Sequence, residues 1–306
     1  MLCQDNYISH DKTYPAPMET TIQKITNSLT EINSRLISFL EQYSKIKRVV
    51  FPGDGIFLSG GDYSFENLPP QAIPIQDKLF KDFNTQMDII EVLILKSPSQ
   101  HKREIKENTI PIIHSILQND MTSEKSIPHV IETINENIKN IVLVLKQLFP
   151  IENQIPILIP DTNALYFNTE IEEWTFKNIQ KFTIILTPSV LRDLDKHKME
   201  HKNENIRDKA ASLINKIKEY RRRGKLIDGV VITKDKIDLI SIATEPNFEF
   251  TLKWLDEKNE DDRLIAETLE IMRSYCNRPV ILVTADINLQ NKCDVADLIY
   301  LEPPIQ

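Results

Sequence analysis

Residues Ile155 to Asn163 read IPILIPDTN. Aliphatic residues between prolines, followed by turn formers, predict a short strand buried on both faces with Asp161 at its carboxyl end. In open parallel α/β sheets, ligands bind in the crevice beyond the carboxyl ends of the strands, so an acid there is placed to handle a metal or a phosphate. The stretch after Phe149-Pro150 has the matching grammar. Aliphatic runs at Ile157 to Ile159, Phe182 to Leu186, Val230 to Thr233, Val280 to Thr284 and Leu298 to Leu301 alternate with helical patterns at 171–180, 189–197, 205–223, 261–276 and 289–295. Such alternation predicts a parallel sheet with covering helices. Lys234 to Lys258 is extra, and Ile237, Leu239 and Ile242 offer a hairpin within it.

The first half reads differently. Ile22, Ile25, Leu29, Ile32, Leu36, Phe39, Tyr43 and Ile46 recur at steps of three and four, which predicts a long amphipathic helix with one apolar seam. The seam suits either a homodimer or protein partner through a coiled coil, or an intramolecular bundle. The bundle is preferred because similar helices follow at 76–95, at 101–117 with Pro111 breaking the path, and at 128–149. The expected organisation is therefore a flexible arm at 1–19, a helical bundle domain at 20–150 and an α/β domain at 151–306. Four of the six glycines fall between Gly53 and Gly61. That cluster lacks the lysine and Ser/Thr of a P-loop and reads as a tight-turned loop. His10, His101, His114 and His129 are scattered without pairing and read as surface or capping residues.

Composition sets limits. With 306 residues, 41% hydrophobic and 27% charged, the chain is long enough for two domains. It has no run of about 18 apolar residues, and its start is neither basic nor apolar, so the expectation is a cytoplasmic protein with no membrane association. Cys3, Cys276 and Cys293 are odd in number and lack metal-ligand spacing, which predicts reduced thiols. A net charge of −8 does not exclude nucleic acid, because acids gathered around a metal enter the sum.

Four acidic clusters take equivalent places in the second half: Asp161, then Asp193 with Asp195, then Asp261 with Asp262, then Asp286. Each follows a strand or lies in the first turns of the next helix. Converging acids repel, and burying them unpaired costs several kcal/mol, so a cation is expected among them. Oxygen-only ligands suit Mg²⁺ or Mn²⁺ and, with substrate phosphate, point to phosphodiester hydrolysis by metal-activated water. Each acid also has an ordinary structural alternative: Asp161 and Asp286 as helix caps, Asp193 and Asp195 as a solvated face, Asp261 and Asp262 as complements of a helix dipole.

The series PDTN, PSVLRDLDKHK, EDDRLIA and TADINLQNKC resembles the PIN-domain family of metal-dependent ribonucleases over about residues 155–303. The resemblance implies a three-layer α/β/α domain with a parallel sheet in order 3-2-1-4-5, and a Mg²⁺ or Mn²⁺ site cutting single-stranded RNA endonucleolytically. It implies Asp161, Asp193, Asp261 and Asp286 as catalytic metal ligands, with Asp262 beside them in the metal set and Asn163 and Asn288 as polar companions. Asp261 is preferred over Asp262 because it precedes Leu264 and Ile265 by three and four residues, on the inward helical face. Two departures stand out: Asp193 where the family usually has Glu, one methylene shorter, and Glu260 where it more often has Asn.

Lys196 and Lys198 follow the second acid closely enough to meet a phosphate backbone, and Arg207, Lys209, Lys216, Lys218 and Arg221 to Arg223 extend a basic surface. Tyr166, Phe167 and Trp174 either stack on bases or pack as core, with Trp174 assigned to the core. His197 and His201 share a helical spacing but lack the metalloprotease order. Asn163 stands where an aspartyl phosphatase needs its second acid. Two other functions remain open from sequence: a catalytically inactive PIN-like module that binds RNA or protein, and a structure-specific DNA nuclease.

Overall fold

Thr20 opens the first helix with a reciprocal cap, its hydroxyl accepting the Gln23 N–H while the Gln23 side chain accepts the Thr20 N–H. This computed structural model describes residues 20–48, 63–119, 121–150 and 155–305. The expected arm and the glycine cluster lie outside these residues. Helix α1 (Thr21–Tyr43) packs on α2 (Ile73–Leu93) and α5 (Ile127–Leu148). Its seam, including Ile25, Leu29, Ile32 and Leu36, is buried within the chain. Each such side chain contributes roughly 1.5–3 kcal/mol of burial.

Between α2 and α5 run α3 (Ser99–Arg103), a π-helical turn (Glu104–Thr109) and α4 (Ile110–Leu117). Pro111 sits in the first turn of α4, where its missing N–H costs least, and the wide turn ahead of it absorbs the interruption. The helical half also carries a small antiparallel sheet of β1 (Ile46–Arg48), β2 (Tyr63–Phe65) and β3 (Met121–Thr122), in that order, which turns Phe65 into the core. His114 is neither a surface nor a capping residue. It is half-buried against Phe80 and Phe83, with Nε2 2.7 Å from the Asn84 side-chain oxygen.

The second half holds β4 (Ile157–Pro160), α6 (Thr162–Phe167), β5 (Phe182–Leu186), α7 (Pro188–Glu200), α8 (Glu204–Arg223), β6 (Val230–Thr233), β7 (Ile237–Ser241), α9 (Glu260–Ser274), β8 (Val280–Val283), α10 (Ile287–Val295) and β9 (Ile299–Leu301). The sheet order is β6-β7-β5-β4-β8-β9. All pairings from β7 to β9 are parallel, and β6 runs antiparallel at the edge. Helices flank this six-stranded sheet.

The five parallel strands have the expected 3-2-1-4-5 order, with one correction of membership. Ile237–Ser241, not Val230–Thr233, fills the third place. Ile237 and Leu239 are both fully inside, whereas β6 buries Val230 alone and leaves Val231 54% exposed. β7 pairs with β5 on one edge and with β6 on the other, whereas β6 pairs with β7 alone and so forms the edge of the sheet. Helix 171–180 is also corrected: it is a single 3₁₀ turn at Ile171–Glu173. Beyond it, Trp174, Phe176 and Phe182 pack edge to face, and Asn178 takes a left-handed conformation at φ 69°, which ends helical continuation.

One continuous apolar core spans both halves. Polar contacts join them as well. Gln86 donates to Asp297 (2.5 Å), Lys24 lies 3.6 Å from Asp297, Lys96 pairs with Glu270, and Arg273 donates to the Val92 carbonyl (3.0 Å). Among the described residues, no helix is long and apolar enough to cross a membrane.

Candidate active site

The register that places Pro160 beside Val283 brings the ends of β4 and β8 together, and the Asp161 N–H donates to the Val283 carbonyl (3.0 Å). Asp161 therefore emerges next to Thr284. Its Oδ1 accepts the Ala164 N–H and its Oδ2 accepts the Thr284 hydroxyl, each at 2.5 Å. The Thr284 oxygen in turn accepts the Asp286 N–H (3.0 Å). Asp286 caps α10 through Oδ1, accepting N–H groups from Asn288 (2.7 Å) and Leu289 (3.4 Å). Both acids are thus helix caps, as their positions before a helix allow, and both stand at the carboxyl ends of central strands.

Burial pushes the Asp161 carboxyl up to about 6, with the Thr284 and Ala164 hydrogen bonds opposing the rise and the charges of Asp286 and Asp261 adding to it. Asp193, on α7, is also raised to about 6. Burial comes first, Glu260 adds to it, and Lys196, Thr162 and Arg192 oppose it. The Thr162 hydroxyl, one residue past Asp161, makes a long hydrogen bond to Asp193 Oδ2 (3.4 Å) and so links the first acid to the second. Helix α7 is held in place by Glu267 of α9, whose Oε1 accepts both the Ser189 N–H (3.0 Å) and the Ser189 hydroxyl (2.8 Å). A carboxylate from one helix thereby satisfies a first-turn donor of another.

Asn259 caps α9 by accepting the Asp262 N–H (3.2 Å). The inward position assigned to Asp261 is taken instead by Asp262, which is 6% exposed and accepts the Asp256 N–H (2.9 Å). Helical phase accounts for the difference, because Asp262, Ile265 and Leu269 share the buried face at steps of three and four. Asp261 is half-exposed and close enough to Asp161 to raise its proton affinity. The Lys292 ammonium lies 3.2 Å from Asp261 and 2.7 Å from Asp262.

Asp286 and Asp261 thus act electrostatically on Asp161, and Asp193 is joined to the neighbouring Thr162. Asp262 is engaged by the 256 loop and Lys292, and Asn163 and Asn288 are exposed on the first turns of α6 and α10. Among the described residues, no three His, Cys, Asp or Glu side chains come together as a ready-made metal-ligand group.

The basic residues divide into two sets. Lys196 is exposed and pairs with Glu260 (3.1 Å), and Lys198, two residues on and so on a different face of α7, is half-buried. Arg207 donates to the carbonyls of His201 (2.6 Å) and Lys202 (3.2 Å), closing the turn between α7 and α8. Lys209 donates to the Tyr166 carbonyl (2.8 Å), and Lys216 bridges Glu170 and Glu172. The aromatic residues divide likewise. Trp174 is core, its Nε1–H donating to the Asn168 carbonyl (3.0 Å), and Tyr166 is anchored to His197 (3.0 Å), while Phe167 is 52% exposed.

Thr284, Thr162 and Glu267 escape sequence reasoning. The first two look like strand-end and helix-start residues, and nothing in the sequence marks Glu267 as the glutamate that turns inward.

No curated protein matches the chain. Residues 158–300 match the model of the PIN domain. The α/β half of this chain, with Asp161 and Asp286 at the ends of its two central strands, is therefore a PIN domain, a fold family of metal-dependent nucleases.

Proposed function

We propose that this protein is a divalent-metal-dependent endoribonuclease acting on single-stranded RNA. The observation that carries the reading is Asp161: a buried carboxylate at the end of β4, held by Thr284 and faced by Asp286 and Asp261. The donor chemistry fits Mg²⁺ or Mn²⁺, since every candidate atom is a hard oxygen. Mg²⁺ binds through one or two carboxylates, retained waters and substrate phosphate, so it does not require three converging protein ligands. Asp161, Asp193, Asp261 and Asp286 would hold the ion, directly or through water. When bound, the cation would activate water and offset charge on the phosphate. The chain's own contribution is positional. Thr284 orients Asp161, Thr162 and Glu267 set Asp193, and Lys196 and Lys198 steady the phosphate backbone.

Lys292 supports a second reading, an inactive module that binds RNA or protein, because its ammonium already pairs with both Asp261 and Asp262 and offsets one of their two charges without a metal. One assay separates the two: Mn²⁺-dependent cleavage of an end-labelled single-stranded RNA by wild type and Asp161→Asn, with single-stranded and flap DNA in parallel. The expected result is RNA cleavage that drops at least about a hundredfold in the variant. Cleavage persisting in the variant overturns the nuclease assignment, binding without cleavage favours the module, and cleavage confined to flap DNA moves the substrate class.

A further inference from the structure

The cations of α8 fall into two groups along the helix. Near its start they are spoken for: Arg207 closes the turn, Lys209 holds the Tyr166 carbonyl, and Lys216 bridges Glu170 and Glu172. At its end they are not. Lys218, Arg221, Arg222 and Lys225 are exposed, and among the described residues none of their side chains has a hydrogen bond or an ion pair. Lys218, Arg221 and Arg222 are three and four residues apart and so share one face of the helix. Arg223 stacks on the Tyr220 ring at 5.0 Å, and the Tyr220 hydroxyl donates to the Glu172 carboxylate (2.9 Å). The Glu172 carbonyl in turn accepts the Thr233 hydroxyl (2.7 Å), which ties the turn after β6, with its exposed Lys234, to the same end of α8. The exposed acids in these segments are Glu173, Glu219, Asp228 and Asp235, and the cations outnumber them. The helix dipole favours Arg221 and Arg222 in the last turn but does not account for Lys234, on a different element.

We propose that this end of α8 is a docking surface for the phosphate backbone of single-stranded RNA, separate from the acidic cleft. The kind of polymer rests on the nuclease reading. The surface itself rests on charge: in a chain of net charge −8, a group of cations left without partners attracts a polyanion, and unpaired guanidinium forks suit phosphate oxygens. Lys209 marks the cleft side of α8, because the Tyr166 carbonyl it holds belongs to the helix that Asp161 caps. From Lys209 to Arg221 the helix runs about 18 Å. A strand meeting both the cleft and this surface therefore spans at least about five nucleotides at roughly 3.4 Å each. Shorter RNA reaches one of the two, so affinity rises with length as the second contact becomes intramolecular.

The test follows the anisotropy of a labelled single-stranded RNA of about 20 nucleotides on the full chain, in EDTA and across a salt series, so that binding is read without cleavage. Arg221→Gln, Arg222→Gln and Lys225→Gln together should weaken binding at least about tenfold and lower the slope of log affinity on log salt by about 2. Lys78→Gln, Lys81→Gln and Lys139→Gln, the same charge change on exposed lysines of the helical half, should leave both nearly unchanged. Equal losses in the two triple variants, or no loss in the first, overturn the surface. A fall in thermal midpoint with RNA affinity intact does so too, and assigns the arginines to the helix dipole alone. Poly-glutamate that binds wild type as tightly as the RNA also overturns it, in favour of an acidic protein partner. A wild type that holds RNA at this surface yet cleaves none with Mn²⁺ keeps the surface and sinks the nuclease reading. Mn²⁺-dependent cleavage whose dependence on RNA length the first triple variant leaves unaltered does the reverse.

Discussion

The two halves of the chain bury different chemistry. In the helical half, the covered face of α1 is an aliphatic seam, and the buried polar residues, such as Gln86 and Thr109, are neutral. In the α/β half, Asp161, Asp262, Glu267 and Asp297 are all buried. Among the described residues, buried carboxylates occur only there. An aliphatic seam is stable by itself, whereas a covered carboxylate costs free energy unless hydrogen bonds or cations offset it. The half that holds carboxylates indoors is also the half that matches the PIN domain.

The largest expected effect tests the aliphatic side. Leu29→Ala, at a fully buried position, should cost about 3 kcal/mol in urea unfolding. Asp161→Asn should instead raise the thermal midpoint of the metal-free protein at neutral pH, because it removes a covered charge that Asp286 and Asp261 repel. A loss as large as that of Leu29→Ala would break the contrast. Next comes Mn²⁺ at a hundred times its dissociation constant, which should stabilise wild type by about 2.7 kcal/mol and leave Asp161→Asn nearly unchanged in calorimetry. Equal stabilisation of both would place the ion elsewhere.

Thr284→Val should cost roughly 1–3 kcal/mol, since it strips the Asp161 carboxylate and the Asp286 N–H of a shared partner. A neutral result in chemical denaturation would mean that the hydroxyl does not organise the acids. The smallest effect concerns Glu267, whose proton affinity burial raises above the ordinary glutamate value of 4.5. The folded state holds that proton more tightly than the unfolded one. Its contribution is therefore complete below pH 4.5 and declines as pH rises through the folded value. Glu267→Gln should flatten that part of the stability profile, and an unaltered slope would sharpen the contrast to Asp161 alone.

Periodicity made α1, α9 and the central strands legible, because burial on one stripe or on two faces leaves a plain apolar record. Asp161 and Asp286 were legible for a related reason, as acids that follow apolar runs. The hairpin was harder. Val230 to Thr233 and Ile237 to Ser241 are both short aliphatic runs, and which of them pairs with β5 depends on a neighbour distant in sequence. Thr284 owes its role to the neighbour that strand register gives it, and register between distant segments leaves no mark on either one. The basic residues of α8 teach the same lesson. Lys209 and Lys216 look like an open cationic surface in one dimension and are tied to Tyr166, Glu170 and Glu172 in three.

Arg273 has one further implication. Its side chain is 3% exposed and donates across the boundary to the carbonyl of Val92, while the same helix carries Asp261 at its start and Glu267 midway. A shortened piece beginning at residue 155 would strip that guanidinium of one of its three acceptors, leaving it the Phe250 carbonyl and Glu270, and deprive Asp297 of Gln86 and Lys24. Truncation would thus loosen the footing of the acidic cleft itself, and the helical half serves as masonry for the site, not as a detachable appendage.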